Sequence, residues 1–228
     1  MTGILAALDE EVDALIADLT DVRTETFGRL AVYSGRLYGY EAAVCRSGVG
    51  KVAAAYAATV LAVKYGVGAI INTGVAGGTV PRGSMVISDR LVQHDVRSDA
   101  DGLPAGQIDG YDSPFIPADE TLVTELCAAA ARCGIEPVRG VIASGDQFIC
   151  DGAAVARLKE MFGISAVDME SAAVAQICAL SGVRFAAVRT ITDNANESAA
   201  GDFYELLHLA ASRSAAVLKA YFRSGPLA

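Results

Sequence analysis

Four acidic residues stand where chemistry is easiest to build. Glu11 follows the first apolar run, Asp168 and Glu170 follow Ile164-Ser165-Ala166-Val167, and Asp193 follows Arg189-Thr190-Ile191-Thr192. Two carboxyl groups can work as acid and base across a bond when their surroundings keep one protonated and the other ionised. Each position taken alone is better explained by capping, because a carboxylate at a helix start satisfies free N–H groups and suits the helix dipole. The set of four at strand ends is more telling than any member. Two glycine segments, Ser47-Gly48-Val49-Gly50-Lys51 and Asn72-Thr73-Gly74-Val75-Ala76-Gly77-Gly78, occupy similar junctions. Their backbone N–H groups suit an anion. Neither has the spacing of a P-loop or of a dinucleotide-binding turn, and tight strand–helix turns explain them as well.

The elements that must position these residues alternate in period. Gly3–Leu8 reads as a strand and the amphipathic stretch from Asp9 to Leu19 as a helix. Ala31–Arg36 and Glu41–Arg46 flank Leu37-Tyr38-Gly39-Tyr40 as a hairpin. An Ala-rich helix runs from the first glycine segment to about Tyr65, and Gly68–Thr73 is a buried strand that breaks at Gly74–Gly78. Met85–Val96 is a longer strand. Arg97 to Pro117 has no period, and a loop of that length in a compact fold is usually functional or mobile. Helices at Thr121–Cys133, Asp151–Phe162, Ser171–Leu180 and Asp202–Phe222 alternate with strands at Val138–Ser144, Ile164–Val167 and Val183–Ile191. The alternation predicts one α/β domain over residues 1–228, a three-layer α/β/α arrangement about a twisted sheet. The hairpin makes that sheet mixed rather than parallel.

Composition excludes several function classes. With 53% hydrophobic residues in 228, the chain has ample material for a core, which excludes a disordered linker. Eighteen Lys and Arg against 27 Asp and Glu leave a charge of −9 with no basic cluster, which argues against nucleic acid as a partner. The longest apolar run, Val52–Val63, falls short of the roughly 20 residues that span a bilayer. Asp9, Glu10 and Glu11 interrupt the first apolar stretch too early for a signal peptide, so a cytoplasmic protein without a membrane partner is expected. Two histidines, His94 and His208, and five scattered cysteines without a CxxC pair suit neither a metal site nor a disulfide framework. The thiols of Cys45, Cys127, Cys133, Cys150 and Cys178 are expected to be reduced and packed as small hydrophobes.

Six segments in this order, LDEEV, SGVGKVAAA, INTGVAGG, SGDQFI, AVDMESAAVA and RTITDNA, resemble the methylthioadenosine/S-adenosylhomocysteine nucleosidases of the nucleoside phosphorylase/hydrolase superfamily. The likeness covers nearly the whole chain. It implies a nucleoside phosphorylase-like fold that hydrolyses the N-glycosidic bond of 5′-substituted adenosines, with a small-molecule purine nucleoside as partner, no cofactor and no metal. It implies Glu11 as the base that activates water and Asp193 as the acid at purine N7. Glu170 would grip the ribose hydroxyls, Met169 pack on the sugar, and Arg189 lie near the ribose side. Phe148 would stack on the base, with Ile149 offering backbone contacts, and Gly77 and Thr192 complete the substrate-binding set. Val49 and Leu206 would line an apolar 5′-alkylthio pocket. A homodimer formed partly by the helix from Val52 is also implied. Burial after an apolar strand would keep Asp193 protonated well above the ~3.9 of a free Asp side chain.

Related phosphorylases hold phosphate with an arginine and a hydroxyl residue in the segment equivalent to INTGVAGG. Asn72 and Val75 stand there, so the resemblance implies water as the nucleophile. Nucleosidases of the family often carry Ser where this chain has Val75. Their HDxDVTxFGY loop is here His94-Asp95-Val96-Arg97-Ser98-Asp99. Arg97 and Asp99 leave the 5′ substituent open between an alkylthio group and the more polar group of futalosine or aminodeoxyfutalosine. A nucleoside-binding protein without turnover is the reading from a different class.

Overall fold

The computed structural model describes residues 1–98, 102–193 and 199–225, and within these the side chains of residues 193 and 199–206 lie outside the description. The elements in chain order are β1 (Thr2–Ala6), α1 (Asp9–Ile16), β2 (Leu19–Phe27), β3 (Leu30–Leu37), β4 (Tyr40–Arg46), α2 (Lys51–Lys64), β5 (Ala69–Gly78) and β6 (Met85–Gln93). They continue with β7 (Phe115–Pro117), α3 (Glu120–Arg132), β8 (Val138–Ser144), α4 (Gly152–Phe162), β9 (Ile164–Asp168), α5 (Ser171–Ser181), β10 (Arg184–Asp193) and α6 (Ala199–Arg223).

All ten strands belong to one mixed sheet. Buried β1 lies between β4 and β5, parallel to both, and β4 leads outward through antiparallel β3 to β2. On the other side the sheet closes on itself. β5 pairs β9, β9 pairs β8, β8 pairs β6, β6 pairs β10, and β10 returns to β5. The β3–β4 turn is made by Tyr38 and Gly39, both at positive φ (51° and 90°), as in the two-residue turns that match strand twist.

Two expectations about the strands are corrected. β5 does not break at the glycines but runs on to Gly78, because residues 74–77 keep pairing with β10 and residues 77 and 78 cross to β9. The glycines permit close approach rather than a turn: a Cβ on Gly78 would lie 2.8 Å from the Ser165 carbonyl oxygen. The stretch from Arg97 to Pro117 is not wholly aperiodic, since Phe115–Pro117 adds an edge strand to β6. Strand β2 was not anticipated at all.

Helices cover both faces of the sheet. One core joins α1, α3 and α6 to β1, β4, β5, β6 and β10, and a second joins α2 and α5 to the opposite side chains of the same strands. Small residues explain the second layer: α2 buries Ala54, Ala57, Ala58 and Leu61 at helical spacing, and α5 buries its first five residues, Ser171 to Ala175, together with Cys178. Only two of the five thiols are core hydrophobes. Cys45 and Cys178 are buried, Cys127 is half-buried, and Cys133 and Cys150 are exposed; all five are free. Among the described residues no helix is long and apolar enough to cross a membrane, and no cluster of His, Cys, Asp and Glu could hold a metal ion.

Candidate active site

A cavity of about 440 Å³ opens at the carboxyl ends of the strands, where parallel sheets collect their loops. Ala7, Leu8 and Glu11 enter it after β1, Val49 after β4, and Val75, Ala76 and Gly77 from the end of β5. Gln147, Phe148 and Ile149 follow β8, and Asp168, Met169 and Glu170 follow β9. Leu207 of α6 completes the apolar part of the wall.

Glu11 sits in the first turn of α1 and is only 3% exposed. Its Oε2 accepts hydrogen bonds from the backbone N–H groups of Ala7 (3.0 Å) and Leu8 (2.9 Å), and its Oε1 accepts one from Val75 (3.0 Å). These donors are spare helix-start groups and the backbone of strand β5 just after Gly74, so the capping chemistry and the site use one carboxylate. Gly74 makes room for it: a Cβ there would come within 2.6 Å of Glu11 Oε1. Burial pushes the Glu11 carboxyl above its ordinary range, opposed by the Arg189 guanidinium and the three backbone donors.

Glu170 precedes α5 and is also buried; its Oε1 accepts the Gly50 N–H at 2.9 Å. Burial first, then the neighbouring Asp168 charge, push it up to about 7, against the pull of Arg189 and the Gly50 donor. Behind it lies a wholly buried polar network. Asp168 accepts from Arg189 Nε (2.7 Å) and from the hydroxyls of Ser144 and Ser171. Asn72 donates to the Leu5 carbonyl (2.9 Å) and accepts from Ser171 (3.0 Å) and Arg189 Nη2. Every ionic group in it is thereby matched, which a charge so far from water requires.

Of the expected site residues, Glu11, Val49, Gly77, Phe148, Ile149, Met169 and Glu170 line this cavity together. Arg189 and Thr192 do not: Arg189 is 2% exposed and faces Asp168 and Asn72, and Thr192 turns its hydroxyl to the Ala76 carbonyl at 3.4 Å. Arg189 thus stands behind the wall, where its guanidinium meets the buried Asp168 and lies close enough to Glu11 and Glu170 to act on their charges. Asp193 ends β10 opposite Gly77, but its side chain, like that of Leu206, lies outside the described residues, as does Asp99. Arg97 is exposed and is not among the described residues that line the cavity. Sequence reasoning gave Asp168 no role, although its place after an apolar strand marked it; it left out Gln147 and Leu207, which carry no such signal.

The sheet order and the acid-lined cavity at its strand ends define a nucleoside phosphorylase-like protein. A family model described as the phosphorylase superfamily matches residues 2–223. The chain is 41% identical over 206 residues to the 5′-methylthioadenosine/S-adenosylhomocysteine nucleosidase of Shewanella putrefaciens, a match covering 88% of this chain and 89% of that one. The nucleosidase of Neisseria meningitidis, solved in complex with methylthio-immucillin-A, superposes with a TM-score of 0.94 at 32% identity over 98% of each chain. The futalosine hydrolase of Helicobacter pylori superposes with a TM-score of 0.93 at 33% identity over 98% of this chain and 97% of that one. The chain belongs to the phosphorylase superfamily and, within it, to the family of the 5′-methylthioadenosine/S-adenosylhomocysteine nucleosidases.

Proposed function

We propose that this protein, as one catalytic domain, hydrolyses the N-glycosidic bond of 5′-substituted adenosines such as methylthioadenosine and S-adenosylhomocysteine. The products are adenine and the matching 5-thioribose. The observation that carries this reading is the charge of the cavity wall. It presents Glu10, Glu11, Asp168 and Glu170, and among its described residues no Lys, Arg or His. Such a wall repels a phosphate nucleophile and accommodates a neutral one. The relatives' activity, named above, supports the same class.

In the proposed reaction a water oxygen forms the bond to C1′ as the C1′–N9 bond breaks. The electron pair of that bond passes to the purine, which takes a proton at N7 from Asp193. The water proton passes to Glu11, whose Oε1 accepts a single backbone N–H and so keeps a lone pair for it. Glu170 holds the ribose hydroxyls, Met169 packs on the sugar, Phe148 stacks on the purine and Val49 lines the 5′ group. Arg189, from behind the ribose side, draws the Glu11 carboxyl back toward ionisation. A homodimer is part of the proposal: Val52, Tyr56 and Val63 share one face of α2 and are 81%, 48% and 76% exposed, an apolar strip that a second copy would cover. Five free thiols accord with a reducing compartment such as the cytoplasm.

The test is release of the free purine base by chromatography, adenine from methylthioadenosine, S-adenosylhomocysteine and aminodeoxyfutalosine and hypoxanthine from futalosine and inosine, with and without phosphate. Phosphate-independent cleavage of the thioadenosines is expected. Cleavage of the futalosines alone would favour the second reading, to which the Helicobacter structure lends support. Glu11→Gln should lower turnover by about 10²–10⁴-fold while adenine still binds. Full activity in that variant would remove Glu11 as the base.

A further inference from the structure

Three segments meet beside the cavity mouth: the first turn of α2, the residues after β6, and the 145–149 segment after β8. Lys51 ties them together. Its Nζ donates to Asp95 Oδ1 at 2.7 Å and to Gln93 Oε1 at 3.2 Å, while its backbone N–H donates to Asp146 Oδ1 at 2.8 Å. The Asp146 N–H in turn donates to Asp95 Oδ2 at 3.0 Å, which closes a ring of three residues. Gln93 Nε2 extends the ring to α5 through Gln176 Oε1 at 2.7 Å. The side chains of Lys51 and Asp95 are only 18% and 21% exposed, so water screens this ion pair less than one on the open surface. Burial pushes the Asp95 carboxyl up, but Lys51 and the Asp146 N–H more than offset it and leave it below the usual carboxylate range.

What the ring adjoins gives it meaning. Gly50, next to Lys51, donates its N–H to Glu170, and it passes so near Asp146 that a Cβ would lie 3.2 Å from Oδ1, at a φ of 97°. Val49 and Phe148 line the cavity from the two segments that the ring joins.

We propose that Lys51, Asp95 and Asp146 form a clamp that sets ligand affinity by holding the first turn of α2 to the 146–148 segment. The clamp fixes the Gly50 N–H on Glu170 and the spacing of Val49 and Phe148 around the ligand. Lys51 and Asp95 do not line the cavity and act as positioning residues. The identity of the ligand as a purine nucleoside rests on the function proposed above; the clamp itself does not.

Asp95→Asn, Lys51→Met and the double variant test it by hydrogen–deuterium exchange over residues 48–54 and 145–150, with adenine titration and steady-state kinetics. Each single variant should speed exchange in both segments by about tenfold while the midpoint of thermal unfolding stays close to wild type. KM and the adenine dissociation constant should rise about three- to tenfold with kcat within about twofold, and the double variant should be no worse than either single one. Unchanged exchange in Asp95→Asn overturns the clamp. So does faster exchange with unchanged adenine affinity. A wild type that binds adenine but releases none from any nucleoside defeats the proposed function instead, and exchange and adenine affinity still decide the clamp.

Discussion

Arg189 and Arg139 make ion pairs of nearly the same length in opposite surroundings. Arg189 reaches Asp168 at 2.7 Å with both side chains 2% exposed, whereas Arg139 reaches Glu120 at 2.6 Å and Asp89 at 2.8 Å with its side chain 41% exposed. Arg139 lies among water and salt, which can replace either partner. Arg189 has no substitute: Asp168 would be left charged in the core, and Glu11 would lose the cation that opposes its burial. The difference teaches that contact length says little about consequence. What matters is what remains when one partner goes.

The largest test of that contrast is Arg189→Met, which should cost about 3–5 kcal/mol in urea unfolding because it strands Asp168. It should also move the acidic limb of the activity profile to higher pH, since the Glu11 carboxyl loses the charge that lowers it. The next test is the sign of pH dependence. Glu170 has its carboxyl raised from 4.5 to about 7, so its contribution to stability is full below about 4.5 and is lost as pH rises through about 7. Glu170→Gln should therefore gain on wild type between pH 5 and 8 in thermal melts, by on the order of 1–3 kcal/mol. Glu120, held low chiefly by its hydrogen bond to Arg139, should show the reverse: its contribution is present above about 4.5 and lost as pH falls below it. Smallest of all, Arg139→Met should shift the melting temperature by about a degree or two, and that shift should vanish in roughly 1 M salt. A large, salt-independent effect there would undo the comparison.

Much of the fold was legible because period and burial agree. β1, β8 and β9 are apolar runs of strand length, and α3 and α4 place apolar residues on one face behind the caps Asp119 and Asp151. β2 was illegible because nearly all its side chains face water, so Leu19-Thr20-Asp21-Val22-Arg23 shows no buried alternation. The course of β5 through its glycines was illegible for another reason. Backbone pairing to β10 and β9 is a tertiary fact, and a run of small residues announces only that something approaches closely. In the site, the acids at strand ends were visible as residue types at junctions. That Arg189 serves Asp168 depends on β9 and β10 meeting through β5, and no local pattern encodes it.

The closed ring of strands has a consequence for how copies of this chain meet one another. A sheet that returns to its own first strand offers no open rung there for a neighbour to join. The chain's outer rungs are β2 and β7, and both are poor templates. β2 carries Asp21 at a φ of 54°, a register shift between Thr20 and Arg23, and the charges of Asp21, Arg23 and Glu25 along its exposed length. β7 is three residues long and ends in Pro117, which has no N–H to give. Crowded together, these molecules find among their described strands no ready route to fibre-like growth by strand addition, which favours association through side-chain surfaces.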